Sequence, residues 1–140
     1  MSRIALSESD HDILRCAPVM LQLRTHLAPD EFLPKVRRQQ EGGYRLVFLE
    51  DDGAIQAVAG FRVIENLAGG RILYVDDLVT DAASRSRGHG KALLDWLIEE
   101  ARREGCQFLE LDSGVQRFDA HRFYLSNRMI ISSHHFKRKL

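Results

Sequence analysis

The stretch VDDLVTDAASRSRGHGKALLDWLIEEARREG, Val75 to Gly105, sets two acids in a β-branched apolar run, then an Arg- and Gly-dense turn, then an amphipathic helical pattern. Backbone N–H groups at a helix start have no intrahelical partner, and the helix dipole adds about half a positive charge there. Small residues let an anion come close, and Arg85 and Arg87 add full charges. The turn Arg85, Ser86, Arg87, Gly88, His89, Gly90 and Lys91 therefore reads as a cradle for a diphosphate. The same glycines would also serve an ordinary strand-to-helix turn. Two familiar phosphate motifs do not fit. GHGKA lacks the upstream glycine and the Ser/Thr of a nucleoside-triphosphate loop, and Leu93 stands where the dinucleotide fingerprint needs a small residue.

Outward from this stretch, RILYVDDLVT reads as a strand and GKALLDWLIEEARRE as a helix with Leu93, Leu97, Ile98 and Ala101 on one face, stopped at Gly105. Upstream, RIALSES is a short strand, and a helix follows with Ser7 and Ser9 as N-cap candidates. Pro18 is expected to kink or break it. PDEFLPKVRRQQEGG reads as a second, polar helix ending at Gly42-Gly43. YRLVFLE and AIQAVAGFRVIE form a hairpin around DDG. Downstream, CQFLELD is a strand, DAHRFYLSNRM a helix and HHFKRKL a closing strand by its alternation. The order predicts an α/β domain with a mixed, mostly antiparallel central sheet flanked by helices, one domain over residues 1–140.

The totals bound the function. The 140 residues suit one core, and 20 basic against 20 acidic side chains give no global field for nucleic acid or an anionic membrane. Cys16 and Cys106 are too few for a disulfide framework and have no metal-ligand spacing. Neither a signal peptide nor a membrane span is expected, so the default is a cytoplasmic protein.

Arg85-x-x-Gly88-x-Gly90, after DDLVTD and before an amphipathic helix, resembles the acetyl-CoA motif of the GNAT superfamily of N-acetyltransferases. AHRFYLSNRM is similar to that family's later helix, with Ala120, Phe123 and Tyr124 in register. The resemblance covers essentially the whole chain and is sharp from about Tyr74 to Met129. Three departures stand out: Asn127-Arg128-Met129 replaces a Gly-Phe pair, Arg117 stands where many members place an asparagine that contacts the pantetheine arm, and the tail after Met129 is short.

The resemblance implies acetyl-CoA as cosubstrate, a primary amine as acceptor, direct attack in a ternary complex, no metal, and room for a homodimer. It also implies that the strand ending near Thr80 splays from the strand ending near Asp112, so that backbone groups of Leu78, Val79 and Thr80 bond the acyl-pantetheine arm and an N–H near Val79 holds the developing oxyanion. A lysine-type amine has a pKa of about 10.4 and arrives protonated. A base is required, and Asp76 or Asp77 is the candidate, on opposite faces if the strand alternates strictly. Tyr124 matches the family's acid position for the leaving thiolate. A non-catalytic acyl-CoA-binding module on the same fold is the alternative. His134 and His135 lack a third ligand for zinc. His121 faces phosphate or solvent, Cys106 reads as a small buried hydrophobe, and Ser113 lacks an esterase elbow. The acceptor site is expected in the first helices, about residues 10–43, with Arg24, His26, Asp30, Glu31, Arg37 and Arg38.

Overall fold

A computed structural model describes all 140 residues and divides them into two compact units, Met1–Glu110 and Leu111–Leu140. In the first, β1 (Ser2–Leu6), α1 (Asp10–Leu23), α2 (Pro29–Glu41), β2 (Arg45–Asp51), β3 (Ala54–Asn66), β4 (Gly70–Thr80) and α3 (His89–Arg103) follow in order, and β5 (Phe108–Leu111) has all but its last residue there. The five strands form one sheet in chain order, with β1 to β4 antiparallel. The Gln107 N–H bonds the Arg71 carbonyl at 2.7 Å, so β5 starts beside the start of β4 and runs with it. The sheet is mixed, as the sequence pattern implies, because a crossover helix separates β4 from β5.

Local chemistry places these elements. Ser9 caps α1 by accepting the Asp12 N–H at 3.1 Å. The expected break at Pro18 does not occur: α1 runs unbroken from Asp10 to Leu23. Pro18 lies on the exposed side while Ile13, Cys16, Ala17, Val19 and Met20 are buried on the other, so core packing holds the helix and water can satisfy the carbonyl that proline leaves unpaired. Asp52 and Gly53 both take positive φ, 52° and 79°, and close the β2–β3 hairpin tightly.

The sheet has two packed faces. Leu46, Phe48, Val58 and Val79 join Ile13, Cys16, Met20, Phe32 and Val36 in the core beneath α1 and α2. On the other side α3 buries Leu93, Leu94 and Leu97, and Trp96 meets the Phe61 ring edge-on at 6.0 Å. Arg45 ties the far end of α3 down through Glu100 and Glu104.

The pairing of β3 with β4 jumps at one place. Gly60 faces Asp77 and Phe61 faces Val75, leaving Asp76 as an extra, unpaired residue. This is a β-bulge. Opposite it, Tyr44 lies over Gly60 so closely that a Cβ there would sit 1.8 Å from the phenol oxygen.

In the second unit, α4 (Phe118–Ser126) is the one regular element after β5 ends. The expected closing strand HHFKRKL is absent: residues 129–140 form neither helix nor strand, and Ile130, Ile131, Phe136 and Leu140 are exposed. Alternation gives a segment two faces but does not supply the partner edge that a strand needs. Arg128 takes φ 67°, the left-handed conformation glycine favours, at the place where the family carries its Gly-Phe pair.

Gly60→Ala is expected to lower stability by about 1–3 kcal/mol through overpacking against the Tyr44 ring. Urea unfolding of the purified protein checks this; an unchanged midpoint would mean that Tyr44 swings aside freely.

Candidate active site

The end of β4 and the start of α3 form one continuous structure. Asp81 caps the short helical turn Ala82–Ser84 by accepting the Ala83 N–H. Ser86 then takes φ 68°, and Gly88 takes φ 81° at the N-cap of α3. Only glycine holds that second angle without strain, and an added Cβ there would meet nothing within 4 Å. No side chain caps α3, and its first backbone bond runs from the Ala92 N–H to the Gly88 carbonyl. The N–H groups of His89, Gly90 and Lys91 thus have no intrahelical acceptor.

Charge around this turn is distinctive. Basic side chains elsewhere in the first unit are almost all matched to a carboxylate, as Arg24 is to Asp77, Arg62 to Asp76 and Arg71 to Glu104. Arg85 and Arg87 are exposed and make no ion pair. Two predicted cradle side chains are otherwise engaged. Lys91 Nζ pairs with Asp95 at 3.1 Å along the helix. His89 is 8 % exposed and turns its Nε2 toward Asp51 at 3.4 Å, while its Nδ1 has no partner. At these two residues only the backbone N–H groups are left without a partner, and the free cations are the arginines.

Leu78, Val79 and Thr80 pair with Ala59, Val58 and Ala57 of β3. β5 is four residues long and begins level with Arg71, so it stops short of them. Their outer edge has no strand neighbour.

The bulge decides where the two acids point. Strict alternation would send Asp76 and Asp77 to opposite faces, but the extra residue rotates both toward the side of α1 and α2. Asp77 is fully engaged: Arg24 Nε donates to Oδ1 at 2.8 Å and the Tyr44 hydroxyl donates to Oδ2 at 2.8 Å. Asp76 accepts from Arg62 Nε at 2.8 Å through Oδ2 alone. Burial raises the Asp76 carboxyl above its ordinary value, opposed by Arg62. Burial also pushes the Tyr44 phenol well up, with the Asp77 charge adding to it, so Tyr44 acts here as a hydrogen-bond donor. The Arg62 guanidinium stacks over the Tyr44 ring at 5.6 Å.

Tyr44 and Arg62 were not legible as site residues; their partners lie 33 and 14 positions away in the chain. The one sequence sign of Tyr44 is a glycine, Gly60, inside an otherwise side-chain-rich strand. In the second unit, Tyr124 is buried in α4, and burial raises its phenol pKa against the pull of Arg117. Ser113 has a buried hydroxyl with no partner, and His121 bonds the Gly114 carbonyl at 2.8 Å. No group of His, Cys, Asp or Glu is placed to hold a metal, and no helix is long and apolar enough to cross a membrane.

Residues 11–127 match the acetyltransferase (GNAT) family. The chain belongs to the GNAT acetyltransferase family. It is similar to the uncharacterized N-acetyltransferase YhdJ of Bacillus subtilis, 42 % identical over 108 residues, 76 % of each chain. It also resembles the aminoalkylphosphonate N-acetyltransferase of Salmonella typhimurium, 43 % identical over 51 residues, covering 36 % of this chain and 33 % of that one. In fold it matches the aminoglycoside acetyltransferase AAC(6')-Iy bound to a bisubstrate analog of CoA, with a TM-score of 0.86 and 14 % identity over 100 % of this chain and 99 % of that one. GNAT members are N-acetyltransferases, which places this chain among acyl-transferring enzymes.

Tyr44→Phe removes a donor from a buried carboxylate and is expected to cost about 1–3 kcal/mol. Its urea-unfolding midpoint should fall clearly below that of the unaltered protein; an equal midpoint would show that water replaces the phenol at Asp77.

Proposed function

We propose that this chain is an acetyl-CoA-dependent N-acetyltransferase, acting as one domain over residues 1–140, in which a primary amine attacks the thioester directly in a ternary complex. The observation that carries the reading is the α3 start: unpaired backbone N–H groups flanked by the unmatched charges of Arg85 and Arg87. Ser86, Gly88, His89, Gly90 and Lys91 complete the cradle for the diphosphate of CoA. Leu78, Val79 and Thr80 offer their free backbone edge to the pantetheine arm. Acetyl-CoA supplies the activated acyl group.

Asp76 is the better base of the two acids. Asp77 has both carboxylate oxygens engaged, by Arg24 and Tyr44, while one Asp76 oxygen is free to accept a proton from the incoming ammonium, directly or through water. Its raised pKa improves the match to that task. Tyr124 is assigned as the acid that gives its phenolic proton to the departing sulfur; its raised pKa keeps it protonated at neutral pH. The relatives' acceptors support an amine, and a small molecule or a peptide N-terminus suits this reading equally. A homodimer is compatible with it.

Thermal unfolding with acetyl-CoA, CoA, ATP and NAD side by side tests the cradle. Acetyl-CoA and CoA at 100 times their dissociation constants should stabilise by roughly 2.7 kcal/mol, with no shift from ATP or NAD. No shift from either CoA species would sink the reading. An amine screen with thiol detection then separates an enzyme from a module that only binds acyl-CoA.

Once an acceptor is found, Asp76→Asn should lower kcat about 10²- to 10⁴-fold. The base works deprotonated, so activity should fall as pH drops through the Asp76 pKa, which lies above the ordinary 3.8. Tyr124→Phe should reduce kcat while leaving acetyl-CoA affinity close to unchanged. Equal turnover in either variant removes that residue's role.

A further inference from the structure

The turn that leads from β4 into the cradle is held from outside by one side chain of α1. Gln22, one residue before the end of that helix, donates from Nε2 to Asp81 Oδ1 at 3.1 Å and accepts the Ala82 N–H through Oε1 at 2.9 Å. Both halves of the amide are used. Asp81 is a local hub: its N–H bonds the Gln56 carbonyl at 2.8 Å, and its own carbonyl accepts the Ser84 N–H at 3.0 Å and the Ser84 hydroxyl at 3.3 Å. Beyond Ser84 the side chains of Arg85, Ser86 and Arg87 are exposed. The direction in which this loop leaves the sheet is therefore set at Asp81 and Ala82.

Two residues after Gln22, Arg24 grips the other end of the same segment. It donates to Asp77 Oδ1 and, through its second nitrogen, to the Asp76 carbonyl at 2.8 Å. Gln22 and Arg24 thus bracket Asp76 to Ala82, the length of backbone that holds the candidate base and the free edge of Leu78, Val79 and Thr80. Gln22 is exposed, so ordering its flexible side chain gains little from burial. Hydrogen bonds of an exposed amide add little to net stability, because water competes for both partners. What it contributes is geometry.

We infer that Gln22 is a positioning residue for acyl-CoA binding: its amide fixes the exit angle of the Arg85–Gly90 loop and ties that loop to the end of α1. The inference rests on the acyl-CoA reading of the cradle. Because Arg24 opens the segment between α1 and α2, a shift of that segment would be passed to the cradle through the same two side chains.

Exchange of the amide and the acid tests it. In Gln22→Glu two carboxylates face each other and the donor is lost. In Gln22→Glu combined with Asp81→Asn the asparagine Nδ2 donates to the glutamate and the glutamate still accepts the Ala82 N–H, so both bonds to residue 22 return while the 3.3 Å bond from the Ala83 N–H is given up. Calorimetric titration with acetyl-CoA should show binding weakened roughly tenfold in Gln22→Ala and in Gln22→Glu, about 1.4 kcal/mol, and restored to within about twofold in the double variant. Thermal midpoints without ligand should fall by several degrees at most, leaving every variant folded at the temperature of the titration. Wild-type affinity in Gln22→Ala, or no recovery in the double variant, overturns the positioning role. If the unaltered protein itself fails to bind acetyl-CoA, the cradle reading has failed first and this inference goes with it.

Discussion

The geometry of the site depends on one unpaired residue in β4. Where Gly60 faces Asp77 and Phe61 faces Val75, Asp76 has nothing opposite it, and the strand turns enough to bring two neighbouring carboxylates to one side. Two like charges side by side repel, so the arrangement survives only because each has its own arginine. The environments then diverge. Asp77 is locked between a guanidinium and a phenol, and Asp76 keeps one oxygen open. One extra residue thereby separates a carboxylate held at both oxygens from one held at a single oxygen.

Just beyond the end of the same strand the chemistry is reversed. Positive charge is left unmatched and backbone donors are left uncapped there, whereas the starts of α1 and α2 are both capped by side chains. Ser9 caps α1, and Glu31 reaches back to the Ala28 N–H at the start of α2. The bare start of α3 stands out against these. A helix end with neither cap nor counter-charge carries a standing preference for an anion. β4 therefore carries two neighbouring carboxylates and leads into a cation-rich turn at the start of α3.

Much of this was written in the sequence, because strand alternation, helix periodicity and a glycine turn are local. The element order from β1 to α4, the left-handed stop at Gly105 and the open start at Gly88 all follow from spacing. What escaped is nonlocal. The contacts Tyr44–Asp77, Arg24–Asp77 and Gln22–Asp81 join positions 33, 53 and 59 apart, and no pattern within one element reports them. The bulge escaped because alternation assumes that register is continuous. Pro18 misled because its effect depends on which side of the helix faces the core, and HHFKRKL misled because a strand also needs an edge to pair with.

Tyr44 and Gly60 behave as a single position. The phenol occupies the space that any side chain at 60 would need, and it reaches Asp77 across that space. Neither residue can vary alone: a larger group at 60 evicts the ring, and a smaller one at 44 opens a void beside a charged oxygen. Divergence at this corner of the sheet must therefore proceed in paired steps, and an exchange at either residue should be accompanied by one at the other.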